Sequence, residues 1–378
     1  SRESRPALHR IARSAASGLV HSKVPLSRRQ GVGARAGRPT PMTAPVAGPM
    51  GDIAGIEDPP SLYVVVDAEA ERDAAEPFDQ SLAGVGAMAA QEQAQAVFDT
   101  FGLRPIYALD YAVASQAEGY EPLRGILDRH ACAVGARLRP WINPPFEDAA
   151  PDRAPSDEDL AAAMEERKLR ALVGAIQENL RVSPLFFKAG RHGYGPRTME
   201  TLARLGFAVA FNVPSAADPA AESSIASVPM TRAQLGPPWA PLPPRLLARP
   251  LLARLGLANT VALTPEGVTA GEQVRLIRSL VARGHRIFTL HYHGPSLAPS
   301  SAPSSAPGST RHARTGTEAQ AVLQRIEAVC RFFFEELGGL PGNPADLVPQ
   351  PMRERVWPRP ERASPTSLPD AVTAPSGG

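Results

Sequence analysis

Cysteine and lysine are the scarcest chemistry-bearing residues of this chain. Among 378 residues only Cys132 and Cys330 are cysteines, too few for a disulfide framework or a cysteine-rich zinc site. Cys330 lies on the apolar face of a predicted helix and reads as core. Lys23, Lys168 and Lys188 are the only lysines among 40 basic residues. With so much alanine and proline, this reads as coding bias rather than function. No run approaches about 18 apolar residues, so no membrane span is expected. Charge of neither sign dominates: the formal net charge is +2, which leaves no overall footprint of a nucleic-acid binder. An apolar stretch followed by a small-residue cleavage site is also lacking. Nothing therefore points to export, and the cytoplasm is the expected compartment.

What is present is ample apolar material, 43% of residues. That suffices for one large domain of roughly 250 residues with tails. Residues 1–60 carry Arg2, Arg5, Arg10, Arg13, Lys23, Arg28, Arg29, Arg35 and Arg38 against Glu3 alone before Asp52. Such an arginine-rich, acid-poor composition can mark a transit peptide. A disordered tail, or translated sequence upstream of Met42, is the plainer reading and the one preferred. Residues 341–378 are proline-rich and are also expected to be disordered. The domain is thus expected over 61–340.

Within that span strands and helices alternate. LYVVV (Leu62 to Val66), RPIYALD, CAVGARLR, PLFFKAG, FAVAFN, TVAL and RIFTLHY read as strands. Helical patterns separate them, among them QEQAQAVFDTFG, which stops at Gly102, and PLRGILDRH. The helix opening near Ser156 places Leu169, Leu172, Val173, Ile176 and Leu180 on one face. The helix from Thr317 likewise aligns Val322, Ile326, Val329, Cys330, Phe333 and Leu337. This predicts an α/β fold: an incomplete, distorted (β/α) barrel of about seven strands. Two stretches interrupt it, the proline-rich interval Pro214–Pro250 and the low-complexity loop SLAPSSAPSSAPGS.

In parallel barrels functional side chains gather where strands end. Those ends supply Asp67 and Glu69, Asp110, Arg137 and Arg139, Arg191 with His192, and His291 with His293. Asp110 alone reads as a turn or cap. Two residues apart on a strand, Arg137 and Arg139 point the same way. His291 and His293 have the same spacing and could share a metal, unless one of them turns toward a covering helix.

The motifs VVVDAEAERDAAEPF, GARLRPWINPPF, FFKAGRHGYGPRTMETLARLGFAVAF and FTLHYHGPSL resemble, in order, those of the polysaccharide deacetylase (NodB-homology) family, most closely its WalW-like branch. The resemblance spans roughly Leu62 to Gly339. It implies hydrolysis of the acetamide C–N bond of N-acetylated sugars by a divalent metal, usually zinc, with a carbohydrate polymer or oligomer as partner. On that resemblance Asp67 takes the place of the general base, Glu69 that of an acidic metal ligand, and Arg191 that of the group orienting the base. His293 takes that of the general acid, and Trp141 lines the sugar groove.

The departures from the family pattern are equally specific. Its H-x-H metal ligands fall on Arg137 and Arg139, and an aspartate that tunes the acid falls on Ala210. Arginine offers no lone pair and stays protonated, so the usual metal-dependent activity is expected to be impaired. Three readings follow: a hydrolase with a rearranged metal site drawing on His291, His293 and Asp67; a non-catalytic carbohydrate-binding protein in which Arg137 and Arg139 hold an anion; or a decayed copy.

Overall fold

The computed structural model describes residues 58–71, 84–146, 158–190, 195, 197–212, 225–235, 259–299, 315–349 and 352, all within the unit Pro45–Gly378. The expected N-terminal tail, the loop after Pro299 and most of the Pro214–Pro250 interval lie outside these residues. Among the described residues no helix is long and apolar enough to cross a membrane.

The strands are β1 (Ser61–Ala68), β2 (Ile106–Leu109), β3 (Ala133–Leu138), β4 (Phe186–Ala189), β5 (Val209–Phe211), β6 (Ala226–Val228), β7 (Arg232–Leu235), β8 (Asn259–Ala262), β9 (Ile287–His293) and β10 (Leu340–Pro341). Seven of them form a curled parallel half-barrel in the order β9-β1-β2-β3-β4-β5-β6. The helices are α1 (Gln91–Thr100), α2 (Tyr111–Ser115), α3 (Ala117–Asp128), α4 (Glu158–Leu180), α5 (Thr198–Arg204), α6 (Ala270–Val281), α7 (Gly316–Arg331) and α8 (Pro344–Leu347). Gly102 ends the first helical segment with φ +67°, a conformation open to glycine at little cost.

Strand alternation divides the residues into two cores. On the outer face Leu62, Val64, Val66, Phe187, Ala210, Phe288 and Leu290 pack with helix residues such as Leu169, Leu172, Ile176, Ile326 and Cys330. On the inner face Val65, Ile106, Ala133, Phe186, Val209, Phe211 and Val228 fill the lower part of the barrel. Further along the same inward face of β1, β3 and β4 come Asp67, Arg137 and Lys188. Apolar floor and charged upper layer are thus successive turns of one period-two pattern. Gly135 lies between Ala133 and Arg137 on β3. A Cβ there would come within 2.8 Å of the Phe186 carbonyl oxygen, so the residue below the arginine has to be small.

Three expectations need correction. TVAL is a strand, but β8 pairs antiparallel with β7 in a separate two-stranded sheet. The Pro214–Pro250 interval hides β6 and β7, which are short and carry little of the apolar alternation that reveals a strand. The predicted C-terminal tail begins too early. Leu340 and Pro341 pair with Ser61 and Leu62, α8 follows, and Val348 is buried in the inner core with Leu347 and Met352 packed against it.

Beside β9, where strand pairing stops, backbone donors are met by threonine hydroxyls and by a loop carbonyl. Just past β6, the backbone N–H of Thr231 donates to Thr289 Oγ1 on β9 at 2.8 Å, and Thr289 N–H donates to Thr231 Oγ1 at 2.8 Å. His291 N–H reaches the Leu263 carbonyl just past β8 at 3.0 Å. These bonds satisfy donors that a complete barrel would pair with an adjacent strand. They also fix β9, and its two histidines, beside the opening.

Candidate functional site

The site is a layer of charge at the upper ends of β1, β3, β4 and β9. In register, Asp67 of β1 lies opposite His293 of β9, and Arg137 of β3 lies opposite Lys188 of β4. Asp67 is fully buried, and Glu69, Arg137, Arg139 and Lys188 are each at most 9% exposed. Burying so much charge is tolerable only if each group meets an opposite charge or hydrogen-bond partner.

Arg137 bridges the two β1 acids. Its Nη1 donates to Glu69 Oε2 at 2.5 Å, and its Nε lies 2.9 Å from Asp67 Oδ2 without aligning a hydrogen on it. Lys188 Nζ is 2.6 Å from both Asp67 oxygens. Arg139 donates from Nη1 to Asp110 Oδ2 at 3.0 Å and lies 3.7 Å from Glu69. Asp110 in turn receives the Ala70 and Val113 backbone N–H groups, the second as the N-cap of α2. The cap expected from sequence is present, and the same carboxylate also holds an arginine of the site.

Both histidines turn inward. His291 Nε2 lies 3.2 Å and His293 Nε2 3.6 Å from Asp67 Oδ2, with the rings edge to face at 5.1 Å. Glu266, in the loop after β8, grips His293 twice. Oε1 accepts the backbone N–H and Oε2 meets Nδ1, each at 2.7 Å.

The charges set one another's ionisation. Burial opposes ionising Asp67, but Arg137, Lys188 and His291 outweigh it and hold its carboxyl well below the usual range. Glu69 is likewise lowered against burial, by Arg137, His293 and Arg139. Burial, with Lys188 nearby, depresses His291 to about 4, whereas Glu266 overcomes burial and raises His293. Burial, with Arg137 nearby, lowers Lys188 despite Asp67.

The zinc position implied by the resemblance does not fit these residues. Residues 137 and 139 offer no lone pair, and Glu69, its remaining ligand there, is engaged by Arg137 and approached by Arg139. The anion-binding alternative is weakened by the same contacts, because both guanidiniums already face carboxylates. Asp67, His291 and His293 do present ligand atoms within 4.8 Å of one another.

Of the other expected site residues, Trp141 follows β3, and its ring lies 5.4 Å from the Arg139 guanidinium. Arg191 and His192 lie outside the described residues. The cation that β4 brings to Asp67 is Lys188. Ala210 is buried in the outer core, so its side chain belongs to the helix-covered face. The carboxylate beside His293 is Glu266 instead. Sequence reasoning missed both Lys188 and Glu266. Lys188 had two usable signals, its place two residues past inward-facing Phe186 and the rarity of lysine. Glu266 had none, since a loop carries no periodicity.

No protein-family model matches the chain, and no curated protein matches it. Among solved structures, the chain is similar to a Mycobacterium smegmatis protein assigned to the polysaccharide deacetylases, with 16% identity, a TM-score of 0.40, and coverage of 76% of this chain and 88% of that one. It is also similar to a family 4 carbohydrate esterase from Streptomyces lividans solved with acetate, with 10% identity, a TM-score of 0.36, and coverage of 75% and 92%. A third is a pseudoenzyme of carbohydrate esterase family 4 from Bacillus anthracis, with 8% identity, a TM-score of 0.38, and coverage of 76% and 65%.

Proposed function

We propose that this chain is a polysaccharide deacetylase-like protein of carbohydrate metabolism that engages N-acetylated sugar polymers or oligomers at the upper end of its half-barrel. Metal-dependent hydrolysis of the acetamide C–N bond is impaired in it. The carbohydrate part of this reading rests on the ordered motifs of the sequence. The impairment rests on one observation: the Arg137 guanidinium lies between Asp67 and Glu69, the groups cast as base and metal ligand. A carboxylate held by Lys188 and Arg137, with its pKa driven down, is a poor proton acceptor. A divalent ion at the family position would also have to approach two permanent cations.

The test is a pair of measurements on the purified chain with zinc supplied. Acetate release from N-acetylated chitooligosaccharides should not exceed the protein-free blank. Calorimetric titration with the same oligosaccharides after EDTA treatment should still show binding. EDTA-sensitive turnover would overturn the impairment, and absence of any binding would overturn the carbohydrate reading.

A further inference from the structure

We infer that Asp67, His291 and His293 form a displaced three-ligand transition-metal site, with Glu266 as the outer carboxylate that fixes His293. Such a site needs neither a carbohydrate nor a hydrolytic activity.

With metal–ligand bonds of about 2.0–2.2 Å, a tetrahedral centre spaces its ligand atoms roughly 3.4 Å apart. Asp67 Oδ2 lies 3.2 Å from His291 Nε2 and 3.6 Å from His293 Nε2, and all three ligand atoms fall within 4.8 Å of one another. Imidazole with carboxylate is a donor set that suits zinc or cobalt better than magnesium or calcium.

Two independent observations point the same way. His291 Nε2 is buried and lies 3.2 Å from Asp67 Oδ2 without a well-aligned hydrogen bond to it. A poorly aligned buried contact of this kind recovers less free energy than a metal bond to the same nitrogen would. In addition, Glu266 Oε2 engages His293 Nδ1 at 2.7 Å, which leaves Nε2 facing Asp67. A carboxylate behind a ligating histidine is the arrangement that orients such ligands and increases their basicity.

The opposing effect is repulsion from Lys188 and Arg137. Lys188 now donates to Oδ2 at 2.6 Å, and a metal there requires it to move its hydrogen bond to Oδ1, which is also 2.6 Å away and has no hydrogen-bond partner. Arg137 can keep Glu69 while ceding Oδ2, to which it aligns no hydrogen. Asp67, Glu69 and Glu266 offset much of the remaining charge. A metal held this way takes as ligands the two groups cast as base and acid, Asp67 and His293. Occupancy therefore does not restore the hydrolytic constellation.

The test is cobalt(II) titration of the untagged, EDTA-stripped full chain, followed by its visible d–d bands and by bound metal after gel filtration. One equivalent should bind with tetrahedral bands. His291→Gln should weaken binding at least tenfold, and Glu266→Gln about 10–100-fold. Lys188→Met, which removes an adjacent cation, should tighten it at least tenfold. Failure of the parent chain to retain one equivalent overturns the inference, as does cobalt binding indifferent to His291→Gln. If His291→Gln does not fold, the Lys188→Met arm decides: tighter binding supports the displaced site, and unchanged binding overturns it.

Discussion

The ammonium of Lys188 lies 2.6 Å from both carboxylate oxygens of Asp67, with side chains only 6% and 0% exposed. A buried pair of this kind adds little compared with apolar residues, but losing one partner strands the other. Lys188→Met should therefore destabilise the chain by about 3 kcal/mol, near the low end for broken buried pairs because Arg137 still reaches Asp67. Urea unfolding reads this directly. An unchanged midpoint would mean that Lys188 is not the main counterion of Asp67.

Arg137 and Arg139 should not be equivalent, although they share a strand face. Arg137 serves Asp67 and Glu69, and its loss leaves two buried carboxylates short of a cation. Arg139 serves mainly Asp110, which retains the Ala70 and Val113 backbone donors when the guanidinium is removed. Arg137→Met should therefore cost about 3–5 kcal/mol, and Arg139→Met distinctly less. The two urea midpoints settle the order, and a larger loss at Arg139 would contradict this assignment.

This asymmetry marks where sequence reasoning stops. Period two was enough to point Arg137 and Arg139 the same way and to make a shared direction for His291 and His293 one of two readings, and the strand–helix alternation was enough for a half-barrel. The acid that each arginine meets depends on strand order and curvature, which no local pattern encodes. Glu266 reaches His293 from 27 residues upstream through a loop. Ala210 reads as a lost site residue from motif spacing alone. Yet β5 alternates, and the inward positions are Val209 and Phe211. Likewise, β6 and β10 are too short for periodicity to register, and it is pairing with longer neighbours that makes them strands. The C-terminal segment reads as a tail because it is proline-rich, whereas Val348 is buried in the inner core with Leu347 and Met352 packed against it.

Away from the site, Glu165 should make stability depend on pH. Burial raises its pKa above the ordinary 4.5, against the Thr198 hydroxyl that donates to Oε1 at 2.5 Å. A group whose folded pKa is raised contributes stability that is full below its unfolded pKa and is lost as pH rises through the folded value. At neutral pH Glu165 is therefore ionised at a cost in the folded state. Glu165→Gln keeps an oxygen for Thr198 and removes the charge. The variant should match the parent in stability below about pH 4 and exceed it at pH 7, with the gap opening as pH rises past the unfolded value. Paired urea titrations across that range test the direction. A variant less stable than the parent at pH 7 would show that the carboxylate has a cationic partner strong enough to outweigh burial.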